Sequence, residues 1–131
     1  MTAATTKKFA YYSDLNIRMA TVLIGDGTNV ITAGVRGGFK CPCAGLITEV
    51  EVVSLDATSG AIAVAMWIEP YSGGVPVNDD EVDIFSIAAS GTQSQETGLS
   101  ISVAKGDWIS LNVDSVTSMK LIAVGITIEG S

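Results

Sequence analysis

Glu49 and Glu51 stand two residues apart in the alternating run Leu46–Ile47–Thr48–Glu49–Val50–Glu51–Val52. On a strand both carboxylates share one face. Two such acids can do glycosidase-type work only inside a cleft that fixes their separation. Alternation with Val50 and Val52 assigns them instead to the solvent side of a strand whose other side is core. Asn78–Asp79–Asp80–Glu81 with Asp83 is the densest acidic cluster. It offers the oxygen donors that a hard cation such as Ca²⁺ takes. The glycine and glutamate spacing of an EF-hand loop is missing, and a solvated loop after Pro76 accounts for the cluster. Histidine is absent, which removes Ser–His–Asp and Cys–His nucleophile systems and histidine metal ligation. Cys41 and Cys43 flank Pro42; bonded to each other they would close a strained small ring. Without histidine or further cysteines they make no zinc site. They read as free, buried thiols in a protein assembled in a reducing cytoplasm. The chemistry-bearing residues thus point away from an enzyme, and no cofactor or metal is expected.

The elements that would carry these residues are strands. The chain has 131 residues, enough for one domain with a core of its own. Hydrophobic residues make up 47% and charged residues only 16%, and there are fourteen glycines. That balance favours strands and turns over helices, and a surface so poor in charge suits a protein partly covered by partners. Apolar alternation and turn residues recur at the spacing of a sandwich or barrel. Strands are expected near Ala20–Ile24, Val30–Val35, Gly38–Pro42, Gly45–Leu55 and Ala61–Ile68. Others follow near Val82–Ser86, Leu99–Val103, Asp107–Val113 and Lys120–Ile128. Both faces of Ala61–Ile68 are apolar, so this strand is expected to be covered on both sides. Asp79–Ala89 has room for one short helical turn. The fold class read from the residues is an antiparallel all-β domain, residues 19–131, behind a short N-terminal arm, residues 1–18.

The net charge of −7 is divided unevenly. Residues 1–48 carry five cations against two acids, and residues 49–131 carry two against twelve. An acidic body repels phosphates, so nucleic-acid binding is not expected. No apolar run reaches the length of a membrane span, and the N-terminus has no secretory pattern. The basic leading segment is placed to lie against an acidic neighbour. It holds Lys7, Lys8, Phe9, Tyr11, Tyr12 and Arg18. Three aromatics ahead of any confident strand are anchors for another protein surface, or else the arm folds back on its own domain. Trp67 and Trp108 sit inside apolar strands and read as core packing or subunit contact.

Several motifs in order resemble a tailed-bacteriophage virion β-domain. Ile31–Thr32–Ala33–Gly34–Val35–Arg36–Gly37, Pro42 and Leu46–Ile47–Thr48 are similar to its opening: a glycine–aliphatic–basic–glycine strand, a proline and a second strand. Ser59–Gly60–Ala61–Ile62–Ala63–Val64–Ala65–Met66–Trp67 resembles its serine–glycine–small–aliphatic motif leading to tryptophan. Tyr71 and Pro76 fall where that family has an extended loop. Ala104–Lys105–Gly106–Asp107–Trp108–Ile109–Ser110–Leu111–Asn112–Val113–Asp114–Ser115 is similar to its last motif. The chain departs from the commoner pattern at Ile68 and in Ser72–Gly73–Gly74, so no ligand site is carried over. The resemblance implies a jelly-roll-like β-sandwich that works as a homotrimer on the virion. Only about twenty residues precede the first confident strand, with no shaft as in a tail fibre. The expected role is therefore capsid decoration (cement) on the outside of the phage head, with the major capsid protein as partner. A receptor- or carbohydrate-binding domain of a head or tail fibre is the alternative. In this reading Lys7, Lys8, Phe9, Tyr11, Tyr12 and Arg18 make the capsid contact.

Overall fold

The structure is a computed structural model that describes residues 17–88 and 91–130, with the side chains of Tyr71 and Asp79 left outside the description. Among the described residues the chain forms nine strands: β1 (Ile17–Gly25), β2 (Gly34–Lys40), β3 (Gly45–Ser54), β4 (Ile62–Glu69), β5 (Glu81–Ile87), β6 (Gln93–Glu96), β7 (Ile101–Val103), β8 (Trp108–Val116) and β9 (Leu121–Gly130). Two 3-10 turns, Tyr71–Gly73 and Asn78–Asp80, lie between β4 and β5. The first sheet runs β1-β9-β3-β6, with β7 also on β3; the second runs β2-β8-β4-β5. Every pairing is antiparallel. Counting β6 and β7 as one interrupted strand gives eight positions. Apart from the paired neighbours β4 and β5, chain-consecutive strands pass from one sheet to the other, and the last two are inserted into the middles of the two sheets. That order is a jelly roll.

Alternation places the core between the sheets. In β9, Ile122, Val124, Ile126 and Ile128 are fully buried while Leu121, Ala123, Gly125 and Thr127 stay half-buried on the outside. Ile109, Leu111 and Val113 of β8, Ile62, Val64 and Met66 of β4, and Phe85 and Ile87 of β5 meet them from the second sheet. Each fully buried aliphatic side chain contributes roughly 1.5–3 kcal/mol relative to exposure. β-branched residues dominate because they pack well on a pleated surface.

Four register shifts adjust the phase, two of them along β4, at Met66/Trp67 and Ala63/Val64. In β3 the register shifts between Ile47 and Glu49, so Ile47 and Val50 are both buried although three residues apart. An extra residue is what a bulge adds. The same place interrupts the neighbouring edge: β7 pairs with Gly45–Ile47, β6 pairs with Val50–Val53, and Leu99 N–H donates to the Thr48 carbonyl between them (3.0 Å). In β2 the register shifts between Val35 and Gly37. The Arg36 guanidinium turns back to donate to the Thr32 carbonyl from Nε (2.9 Å) and to the Ala33 carbonyl from Nη2 (2.6 Å).

That clamp corrects one expectation. No strand covers Val30–Ala33; those residues are irregular, and only Ile31 is buried, its N–H bonded to the Met119 carbonyl at 2.9 Å. The two strands expected at Val30–Val35 and Gly38–Pro42 are one strand, β2, entered late because Arg36 holds its own approach loop. The corner Cys41–Ala44 then carries the chain from the second sheet to the first. It closes tightly: a Cβ at Gly45 would collide with the Glu129 carbonyl oxygen. β6 was not expected from the sequence at all. The short helical turn is found as the 3-10 turn Asn78–Asp80, one residue ahead of the expected window.

Candidate interaction surface

Among the described residues the acids do not gather into a metal centre. Glu49 and Glu51 do share the outer face of β3. Glu49 is occupied there, accepting from Gln95 Nε2 at 2.8 Å and from Thr127 Oγ1 at 3.5 Å. Glu51 lies on the wall of an open trough, not in a cleft. The cluster at Asn78–Asp83 is dispersed by the fold. Asp80 Oδ2 accepts the Val77 N–H at 2.8 Å, Glu81 is exposed, and Asp83 faces into the sandwich. Among the described residues no group of three histidines, cysteines, aspartates or glutamates is placed to hold a metal ion. Glu69 meets Asp80 instead, and hydrogen bonding between the two carboxyls, with burial and their like charge, raises the Glu69 pKa.

Both cysteines are free thiols. Cys41 is buried, and its Sγ donates to the Cys43 carbonyl at 3.1 Å. Burial pushes the Cys41 thiol up, away from the reactive thiolate. Cys43 is half-buried against the core.

What the fold presents outward is surface for contact. On the second sheet one cross-strand row reads Val35, Asn112, Ala65, Ile84, and the next reads Gly38, Ser110, Trp67. Val35, Val82, Ile84 and Trp108 are 38–50% exposed, and Val75 and Val77 of the preceding loop more so. Trp67 lies on this outer side yet is only 8% exposed, and its indole N–H has no acceptor. Gly74, Val75 and Pro76 lie beside Trp108 and Ser110 around a depression of about 510 Å³. The loop between β4 and β5 thus supplies part of this apolar face, which explains why both faces of β4 are apolar. Six exposed side chains on this face and loop are aliphatic or aromatic, with Lys40, Glu81 and Asp114 exposed at its margins; an apolar group of this kind marks contact surfaces more often than free ones.

The outer face of the first sheet is different. Met19, Thr21, Glu51, Gln93 and Gln95 border a trough of about 490 Å³ floored by Ala123 and Gly125. Its lining is mixed, with Thr21, Glu51, Gln93, Ser94 and Gln95 as its polar half. β1 at its edge leaves Ile17, Met19 and Leu23 exposed.

Of the residues expected to contact a partner, Arg18 is within β1, exposed and paired with Ile128; its Nη1 donates to the Ile17 carbonyl at 3.2 Å. Ile17 and Arg18, expected in the arm, are thus part of β1. Lys7, Lys8, Phe9, Tyr11 and Tyr12 lie outside the described residues. Sequence reading missed the apolar face of the second sheet. Its signal was present in Val75, Val77, Val82 and Ile84, apolar residues on both sides of the acidic cluster.

Among the described residues no helix is long and apolar enough to cross a membrane. No protein-family model matches the chain, and neither does any curated protein. Solved structures of similar shape include the globular domain of zebrafish complement 1qA protein, with 14% identity and a TM-score of 0.48 over 85% of this chain and 95% of that one. A chain of the cyanophage Pam1 capsid asymmetric unit is 13% identical, with a TM-score of 0.41 over 88% and 86% of the two chains. A carbohydrate-binding module from Ruminococcus flavefaciens is 15% identical, with a TM-score of 0.41 over 75% and 99%. These likenesses assign no activity to this chain; the strand order itself establishes the jelly-roll sandwich.

Proposed function

We propose that this protein is a structural virion component: a capsid decoration (cement) protein that binds the outside of a tailed-phage head as a homotrimer and stabilises it. One observation carries the reading. An acidic protein places no charged residue in the Val35–Asn112–Ala65–Ile84 row on the outer face of its second sheet, with Val82, Trp108, Val75 and Val77 exposed around it and the Asp114 carboxylate at its margin, bonded to Asn112. Coverage of such a face gains about 25 cal/mol per Å² of apolar area removed from water. The ordered sequence motifs that resemble phage virion β-domains give the partner class. The mechanism is mechanical. Three sandwiches held through this face engage the major capsid protein together, so modest single contacts sum to strong lattice binding. Lys7, Lys8, Phe9, Tyr11, Tyr12 and Arg18 supply the capsid contact, with the aromatic rings as anchors and the cations against acidic capsid surface.

The test combines light scattering of the purified protein with co-sedimentation on expanded phage heads. The wild type is expected to be trimeric and to sediment with the heads. Val35→Asp with Ile84→Asp should yield folded monomers that no longer bind. Removal of residues 1–16 should leave trimers that fail to sediment. A wild type that stays monomeric and unbound overturns the proposal. The trough over the first sheet, with its mixed lining of Met19, Thr21, Glu51, Gln93 and Gln95, favours a second reading, a carbohydrate- or receptor-binding fibre domain; glycan binding without head affinity would select it.

A further inference from the structure

We propose that Asp83 and Glu96 form a proton-operated latch on one open side of the sandwich, holding β5 against β6 while one proton lies between their carboxyls and loosening that seam when it leaves. The two strands are the terminal strands of different sheets, β5 beside β4 and β6 beside β3. Among the described residues no backbone ladder joins them. Their side chains meet instead. Asp83 shares the inward side of β5 with buried Phe85 and Ile87, and Glu96 shares the inward side of β6 with Ser94.

Asp83 Oδ2 and Glu96 Oε1 are both buried and neither has a donor. Ionised carboxylates only accept hydrogen bonds, so as a doubly charged pair they repel and both atoms stay unsatisfied. One added proton turns the pair into an O–H···O⁻ bond, a strong type. Among the described residues, the strands around the pair offer no neutralising charge. β3, β4, β5 and β6 contain no lysine or arginine. The remaining charged groups on these strands are all acids that look elsewhere: Glu81 of β5 is exposed, Glu49 and Glu51 of β3 lie on the outer face, and Glu69 of β4 meets Asp80. Hydrogen bonding to Asp83, then burial and the Asp83 charge, push the Glu96 carboxyl up to about 7. A folded pKa above the unfolded value means that the latch stabilises fully below the ordinary glutamate range. That stabilisation is lost as pH rises through about 7.

The experiment is amide hydrogen exchange on the full chain between pH 5 and 8.5, corrected for intrinsic exchange, in buffer free of divalent cations. Protection of Glu81–Ile87 and Gln93–Glu96 is expected to fall as pH rises from 5 to about 7, by up to about tenfold per pH unit because one proton is released on opening, and to level off above that. The central strands β8 and β9 should not follow. Glu96→Gln brings its own donor, so its seam should stay protected across the range. A carbon-detected titration of the wild-type Glu96 carboxyl should show a midpoint near neutrality. A midpoint in the ordinary glutamate range overturns the latch, as does pH-dependent seam exchange that persists in Glu96→Gln.

Discussion

The hydroxyl of Thr117 is locked to the backbone of Ala61 in both directions. It accepts the Ala61 N–H at 3.0 Å and donates to the Ala61 carbonyl at 3.3 Å, while the Thr117 N–H reaches that same carbonyl at 3.1 Å. The tie joins the approach to β4 with the exit from β8, two strands paired throughout the middle of the second sheet.

Thr117→Val keeps the shape and removes both side-chain bonds, leaving the Ala61 N–H without its partner. A loss of about 1–2 kcal/mol is expected, read as a lower urea midpoint with unchanged slope. Thr117→Ser keeps the hydroxyl and should recover most of it.

Gly37 faces inward where β2 passes β1, and a Cβ there would sit 2.7 Å from Val22 Cγ1. Gly37→Ala should therefore cost about 1–3 kcal/mol through overpacking. Val22→Ala opens that space, so the double variant should be more stable than the sum of the two single changes predicts, as a double-mutant cycle in urea would show.

Asp26 organises the turn after β1. Its Oδ1 accepts the N–H groups of Thr28 and Asn29, both at 2.8 Å, and Oδ2 accepts from Asn29 Nδ2 at 3.2 Å. These bonds hold the carboxyl below the usual aspartate range. A depressed folded pKa stabilises above the unfolded value, and that stabilisation disappears as pH falls through the folded one. Asp26→Ala should lower Tm at pH 7, and the gap should close as thermal melts are moved below about pH 4.

Native protein treated with a thiol reagent should be modified at Cys43 before Cys41. The Cys41 thiol is 2% exposed and its pKa is raised by burial. Mass spectrometry of the partly modified protein should place the first label on Cys43, and the second should appear only with denaturant. Equal labelling of both in native protein would contradict the buried position of Cys41.

Most of the sandwich was legible because alternation writes the two faces of a strand into the chain. Ile109, Leu111 and Val113 in β8, and Ile122 to Ile128 in β9, announce a buried side without ambiguity. β6 was not legible: Gln93–Ser94–Gln95–Glu96 has no apolar residue. It is a strand because β3 offers it a ladder, and an edge covered only in part tolerates polar residues on both sides. Val30–Val35 misled in the opposite direction. Its pattern is that of a strand, but an arginine bonding backward to two carbonyls holds the first half irregular. The site was less readable than the fold. Glu49 and Glu51 fell on the outer face as the alternation requires, whereas the meeting of Asp83 with Glu96 depends on how two sheet edges lie together. No spacing within either strand records that.

The strand order also sets when folding can happen. β8 completes the second sheet by entering between β2 and β4, and β9 completes the first by entering between β1 and β3. Each sheet therefore receives its middle strand last. A nascent chain that has emerged only as far as β7 holds flanking strands with nothing between them, their apolar sides open to water. Only β4 with β5, and β3 with β6 and β7, can pair before then; the remaining native pairing waits for distant segments to be made, which predicts slow folding dominated by long-range closure. During that wait the unpaired strands are open to association with other chains. Translation speed and chaperone supply while β8 and β9 are being made should thus govern the yield of soluble protein.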